Sequence, residues 1–299
     1  MKKSIIGAVV ASTVALAASN ASALTITAFD GVNPSTLTNA LGLSGITLVP
    51  GSESYVGAAN GSLAGSRAGL YSGFSLSNSS GSTRILGDGV VLASGGLNFS
   101  TTTNTVNNWS SNSALSTSNS QLTSLAGGTS TKDSSTLSFS FTAPVGQNAV
   151  SIAFVFATDE FPTQSVTDIF GFFVDGVNYA KFPNGDLIQN QSGSSNFTTG
   201  YNIEHNGVTQ VLTAVGLLDL TKSTHTFSFG IADTSDQIFD SAVFISQFGT
   251  GSTSSGTGGV GVVITPPPGG GTVPTPVPVP GTLLLLTAAM AAAGLTRRK

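Results

Sequence analysis

The chain has 299 residues, 39% of them apolar, with 18 Phe, so it can bury a sizeable core and wholesale disorder is excluded. Only 8% of residues are charged, and 10 basic against 14 acidic side chains leave a net charge of −4, which offers no basic footprint for nucleic acid. The absence of Cys excludes a disulfide framework, a thiolate zinc site, an iron–sulfur cluster and a cysteine nucleophile.

Residues 1–23 read as a secretory signal. Lys2 and Lys3 form the charged start, Ile5 to Ala18 the apolar core, and Ala21-Ser22-Ala23 the small-x-small cleavage site. The mature chain is expected to begin at Leu24, after passage through the Sec export machinery. Between residues 24 and 250 lie all fourteen acids against five bases (Arg67, Arg84, Lys132, Lys181 and Lys222), a net charge of about −9.

Residues 24–249 form the expected exported domain. A short helix is expected from Pro34 to Leu43, with Asn33 as N-cap, Pro34 as first helical residue, and Leu37, Ala40 and Leu41 at helical spacing. Ser75 to Ser135 is rich in Ser, Thr and Asn and reads as long loops. One apolar island, Gly87 to Gly95, interrupts it as a buried strand. Trp109 lies in one of these loops, where it can stack on a sugar or cover a core edge. The core edge is favoured, because sugar sites normally gather more than one aromatic.

Beyond residue 135 period-two alternation dominates. Leu137, Phe139 and Phe141 alternate with Ser and Thr. So do Val150, Ile152, Phe154 and Phe156 with Ser151, Ala153 and Val155, and Phe227, Phe229 and Ile231 with Ser228, Gly230 and Ala232. Asp175-Gly176, Asn184-Gly185 and Asn206-Gly207 are turn signals. These features predict an all-β fold, an antiparallel β-sandwich of jelly-roll type with short helices and long polar loops.

Ten of the fourteen acids fall between Asp159 and Asp240. They sit where predicted strands end: Asp159 and Glu160 after one, Asp168 and Asp175 at the two ends of the next, Asp233, Asp236 and Asp240 in the loop between the last two. Strand ends of a sandwich gather at its poles. Carboxylates meeting there repel one another unless protonated or joined by a cation. Calcium takes six to eight oxygens and tolerates irregular loops, so Glu160, Asp168, Asp233, Asp236 and Asp240 are candidate calcium ligands. The spacing is not that of an EF-hand. The alternative is that these acids cap turns through backbone N–H groups.

The same residues carry a resemblance. Phe156-Ala157-Thr158-Asp159-Glu160-Phe161, Asp168 to Gly176, His225, Ile231-Ala232-Asp233, Asp240 to Ile245 and the earlier Gly89-Val90-Val91-Leu92-Ala93-Ser94-Gly95 together resemble the choice-of-anchor L domain. That family has Ser-Glu-Glu-Tyr where this chain has Thr158-Asp159-Glu160-Phe161, so both acids are kept and the phenol is lost. The resemblance implies an exported protein paired with a surface anchor.

Catalysis has little to draw on. His205 and His225 are the two imidazoles, and no Gly-x-Ser-x-Gly elbow accompanies them. Glu160 and Asp168 could form a glycosidase pair, but only their separation in space decides that. No catalytic residue is assigned.

Residues 250–277 read as a Gly/Ser/Thr and then Pro-rich linker, and residues 278–299 as a tail. Gly281 to Leu295 is apolar apart from two Thr and precedes Arg297-Arg298-Lys299. As a helix that run reaches roughly 22 Å, short of a ~30 Å hydrocarbon core, which suits temporary insertion better than permanent anchoring. Val277-Pro278-Val279-Pro280-Gly281, the Leu283 to Leu286 run and Arg297-Arg298 resemble a PEP-CTERM sorting signal, with Val279 where the family usually has Glu. The resemblance implies a transient inner-membrane insertion, recognition by an exosortase, and release or transfer to the cell surface. The expected protein is therefore an exported, non-enzymatic surface or matrix protein associated with an exopolysaccharide or biofilm layer. The alternatives are a calcium-dependent carbohydrate-binding module and a secreted hydrolase.

Overall fold

The computed structural model describes residues 23–111, 117–162, 164–254 and 256–266. Ala21 of the cleavage site and the tail residues Val277, Pro278, Pro280, Arg297 and Arg298 lie outside the described residues; Ala23 is the first of them.

Strands dominate, as the alternation requires. The early ones are β1 (Thr25–Ala28), β2 (Thr47–Leu48), β3 (Ser54–Val56), β4 (Ala68–Ser72), β5 (Ser75–Ser77), β6 (Thr83–Ile85) and β7 (Gly89–Ala93). The long ones follow: β8 (Thr131–Thr142), β9 (Ala149–Thr158) and β10 (Thr167–Val174). After β11 (Val177–Asn178), β12 (Ile188–Gln189) and β13 (Gly207–Val208) come β14 (Leu212–Leu217), β15 (His225–Thr234), β16 (Ser241–Gly251) and β17 (Gly259–Val260). One sheet runs β1-β4-β7-β16-β9-β14-β17, with β13 also on β9. The other runs β11-β10-β15-β8-β2, with β12 on β10 and β3 on β8. All pairings between these strands are antiparallel. The result is an all-β sandwich.

The alternating residues meet between the sheets. Leu137, Phe139 and Phe141, Phe170 and Phe172, and Phe227, Phe229 and Ile231 face Val150, Ile152, Phe154 and Phe156, Val90 and Leu92, and Val243 and Ile245 in one core. Phe139 stacks on Phe227 at 4.7 Å between ring centroids. Burying a Phe side chain of this kind stabilises the fold by roughly 1.5–3 kcal/mol. Asp175-Gly176 makes the two-residue hairpin between β10 and β11, with φ of 51° and 87° as a type I′ turn demands.

Three expectations change. The helix near the start is α1 (Ser35–Ala40), shorter than Pro34 to Leu43, with Asn33 Oδ1 accepting the Ser35 N–H at 3.2 Å. A second helix, α2 (Ser120–Leu125), lies inside the polar stretch read as loops, and the Asn119 side chain caps it by accepting the Leu122 N–H. That stretch also covers the outer face of the first sheet. Phe74, Leu76, Leu97 and Phe99 pack there with Val155, Ala157 and Phe244, which is why all ten residues of β9 are buried rather than every second one. The segment read as the start of a linker is partly folded on as well. β16 runs to Gly251, β17 pairs with β14, and Ile264 packs on Ala149 and Val215. Among the described residues no helix is long and apolar enough to cross a membrane.

Candidate functional site

The antiparallel order fixes which strand ends share a pole. β9 ends at Thr158 opposite Ser241, where β16 begins, and β7 ends beside it with Ala93 opposite Ala242. In the other sheet β10 begins and β15 ends together, and the register sets Asp168 directly across from Asp233. Like charges at such a position destabilise a sheet. β8 starts next to them and carries a bulge opposite Ala232, between the pairs Ile231–Ser135 and Asp233–Lys132. Within the bulge Asp133 takes a left-handed φ of 52°. Bulges re-aim side chains, and this one turns Asp133 onto the Arg67 guanidinium at 2.9 Å.

Six carboxyl groups are therefore buried at one pole: Asp133, Asp159, Glu160, Asp168, Asp233 and Asp240, with Asp236 half-buried at the rim. Arg67, fully buried, is the one buried guanidinium among the described residues. Of the residues the sequence analysis grouped, Asp168 lies across from Asp233, and Glu160 feels the charges of Asp236 and Asp240, but among the described residues no three His, Asp or Glu side chains form a group that could hold a metal ion. Asp133 and Arg67 were missed as members of the pole. An Arg directly before the buried Ala68, in a domain with so few bases, was the available signal; the bulge that aims Asp133 left none.

Hydrogen bonds satisfy part of the cluster. Asp240 Oδ2 accepts the Ser111 N–H at 2.6 Å and its hydroxyl at 3.0 Å. Asp159 Oδ1 accepts the Asn206 N–H at 3.0 Å. Asp168 Oδ2 accepts the Ser241 hydroxyl, tying β10 of one sheet to β16 of the other. Seven buried oxygens have no hydrogen bond of normal geometry: Asp159 Oδ2, both of Glu160, Asp168 Oδ1, both of Asp233 and Asp236 Oδ1. Such atoms are rare in native proteins and each asks for an explanation.

The electrostatics follow from burial. Loss of water, and then the charges of Asp236, Asp240 and Asp159, push Glu160 up to about 8. Burial likewise lifts Asp159 to about 8, against the Asn206 amide, and Asp240 to about 7, against the Ser111 hydrogen bonds. Asp168 and Asp233 are driven well above the usual carboxylate range by burial, Asp168 further by Asp233 and Asp233 further by Asp240.

Residues 51–250, about two thirds of the chain, match the choice-of-anchor L domain. The chain belongs to that family. No curated protein and no solved structure matches it. Membership makes it a surface-anchored protein, located outside the cell or at its surface, of a generally non-enzymatic family.

In this choice-of-anchor L domain most of the blocks that carried the resemblance, His225 and Asp175-Gly176 apart, end at this pole. Gly95, last in its block, shows why. A Cβ there would lie 1.8 Å from Asp240 Oδ2, so the backbone passes where only glycine leaves room for the carboxylate. Gly95→Ala is expected to cost about 2–3 kcal/mol in urea unfolding by forcing Asp240 off Ser111. Gly256→Ala, with open space around it, is expected to cost a few tenths at most.

The two imidazoles lie elsewhere or alone. His225 opens β15, at the opposite end of that strand from Asp233. Its Nδ1 is 2.8 Å from Asp175 Oδ2, and β15 lies between β10 and β8. Asp175 also accepts N–H groups of Asp219 and Thr226, which outweigh its burial and hold it below the usual range. His205 is buried against Phe99 with both ring nitrogens unpartnered, and burial pushes it down to about 4. Trp109 packs edge-on to Phe99 at 5.8 Å, covering a core edge.

Proposed function

We propose that the protein is exported, inserts its tail transiently in the inner membrane, is cut there by an exosortase, and serves as a non-catalytic component of the exopolysaccharide or biofilm layer. The observation that carries this reading is the order of parts: a family domain of surface-anchored proteins lies between a secretory signal and a PEP-CTERM-like tail. The chemistry of the domain supports it. Its imidazoles are held by a carboxylate or sealed in the core, and its carboxyl groups are buried in a cluster instead of lining an open cleft.

A glycan-binding role within the same reading is favoured by one feature beside the pole. A cavity of about 580 Å³ is lined by Asn104, Asn107, Phe161, Pro162, Thr199 and Asn206, an aromatic ring among amides. Asn206 joins it to the pole by donating to Asp159 and by accepting from Asn104 Nδ2 at 2.8 Å. Amide and aromatic groups together match the polar rims and apolar faces of sugars.

The test is the C-terminal mass of the protein from culture supernatant and from membranes. A secreted form ending near Pro280 is expected, and that form should retain exopolysaccharide on a pull-down. An intact Lys299 found only in membranes would overturn processing, leaving a simple anchor.

A further inference from the structure

We propose that the acidic pole is a binding site for a hard divalent cation of the calcium class, centred on Asp168 and Asp233 and closed by Glu160 and Asp236 from the neighbouring loops. The inference goes beyond the export reading and does not depend on it.

The decisive observation is the set of buried oxygens without partners. Asp233 is 0% exposed and Asp168 is 1% exposed, and the sheet register places them face to face. No hydrogen bond of normal geometry reaches either oxygen of Glu160, which is 1% exposed, or Asp168 Oδ1, and Asp233 has only the Ser94 hydroxyl and the facing Asp168 carboxyl beside it. Arg67 is engaged with Asp133. Lys132, at the rim, donates to the Ser235 carbonyl at 3.0 Å.

Two chemistries can relieve such a cluster. Protons are one. A single proton shared between Asp168 and Asp233 would settle that pair, one carboxyl donating to the other, but it leaves Glu160 with no partner for either oxygen. A cation is the other. One ion with six to eight ligands takes the oxygens of Asp168, Asp233, Glu160 and Asp236 together, with backbone carbonyls and water completing its shell. The donor set is all oxygen, with no thiolate and no imidazole engaged, which selects calcium or magnesium over zinc. The irregular segments at 159–162, 164–166 and 235–240 suit calcium, since magnesium demands near-octahedral order. Among the described residues no three His, Asp or Glu side chains form a group that could hold a metal ion as they stand, so the proposal requires the ion to draw Glu160 and Asp236 inward onto Asp168 and Asp233.

The experiment uses the secreted protein stripped with EDTA at pH 8. Adding calcium is expected to raise the melting temperature by about 5–10 °C, with a smaller rise for magnesium. Terbium is expected to luminesce on excitation of Trp109, the chain's single Trp, whose carbonyl accepts the Asp240 N–H at 3.2 Å. Asp233→Asn keeps the volume and removes a charge. It should abolish the calcium shift while melting in EDTA no lower than the parent, whereas the surface control Asp219→Asn should keep the shift. Equal melting temperatures in EDTA and calcium, with no terbium signal, would overturn the proposal even if the variants fail to fold. A calcium-blind parent that Asp233→Asn stabilises would assign the pole to shared protons instead, and a larger shift with zinc than with calcium would refute the all-oxygen site.

Discussion

In a chelating buffer the melting temperature is expected to fall by roughly 10 °C as pH rises from about 5 to about 8. The sign follows from the buried carboxyl groups. Glu160 and Asp159 lose their protons near about 8 in the folded chain and Asp240 near about 7, while burial also holds Asp168 and Asp233 well above the usual carboxylate range. In the unfolded chain all of them ionise near ~4. Between those values the folded state holds protons that the unfolded state has released, so each rise in pH favours unfolding. A single unit of displacement is worth ~1.4 kcal/mol, and a net stability of only ~5–15 kcal/mol leaves little room for several. A loss of about 3 kcal/mol, at ~2–4 °C per kcal/mol for a domain of this size, gives the stated fall.

On the acid side Asp175 and Glu204 act in the opposite sense. Both are held below the usual range, Glu204 because hydrogen bonds from Thr105 and Val106 outweigh its burial. Their contribution is present above ~4 and is lost as pH falls through their lowered values. Maximum stability in chelator is thus expected near pH ~4, where the two opposing losses meet. Circular-dichroism melts from pH 4 to 9 in EDTA check this, and a stability that climbs between pH 5 and 8 would contradict the buried cluster.

The largest single-residue effect is expected at Arg67. Arg67→Met should cost about 3–5 kcal/mol in urea unfolding, because it strands the Asp133 carboxylate in a buried site. Asp240 loses stabilisation too, since the same guanidinium lowers its affinity for a proton. The double change Arg67→Met with Asp133→Leu should recover at least ~1 kcal/mol of that loss, a coupling that a double-mutant cycle measures directly. Arg67→Lys is not expected to rescue, because an ammonium lacks the planar fork that reaches Asp133 from a fully enclosed position. Independent, additive losses would show that the pair does not act as a unit.

The alternating Phe-rich runs and the Asp-Gly turn announced the sandwich, because period and turn chemistry are written within a few neighbouring residues. The polar stretch from Ser75 to Ser135 was misjudged for the same reason. Its Ser and Thr are local and obvious, whereas the packing of Phe74, Leu76, Leu97 and Phe99 on the outer face of β7, β9 and β16 depends on residues far along the chain. The helix α2 hid there behind a composition that favours loops, with Asn119 as its one local sign.

The candidate site divides the same way. By itself the sequence determined the all-β body and the accumulation of acids at predicted strand ends, since apolar alternation, charge and strand limits are properties of contiguous residues. Tertiary structure alone decided that Asp168 and Asp233 face each other, that a bulge delivers Asp133 to Arg67, and that Gly95 makes space for Asp240. Those outcomes are set by register between strands tens of residues apart, where a shift of one residue would turn every side chain to the other face.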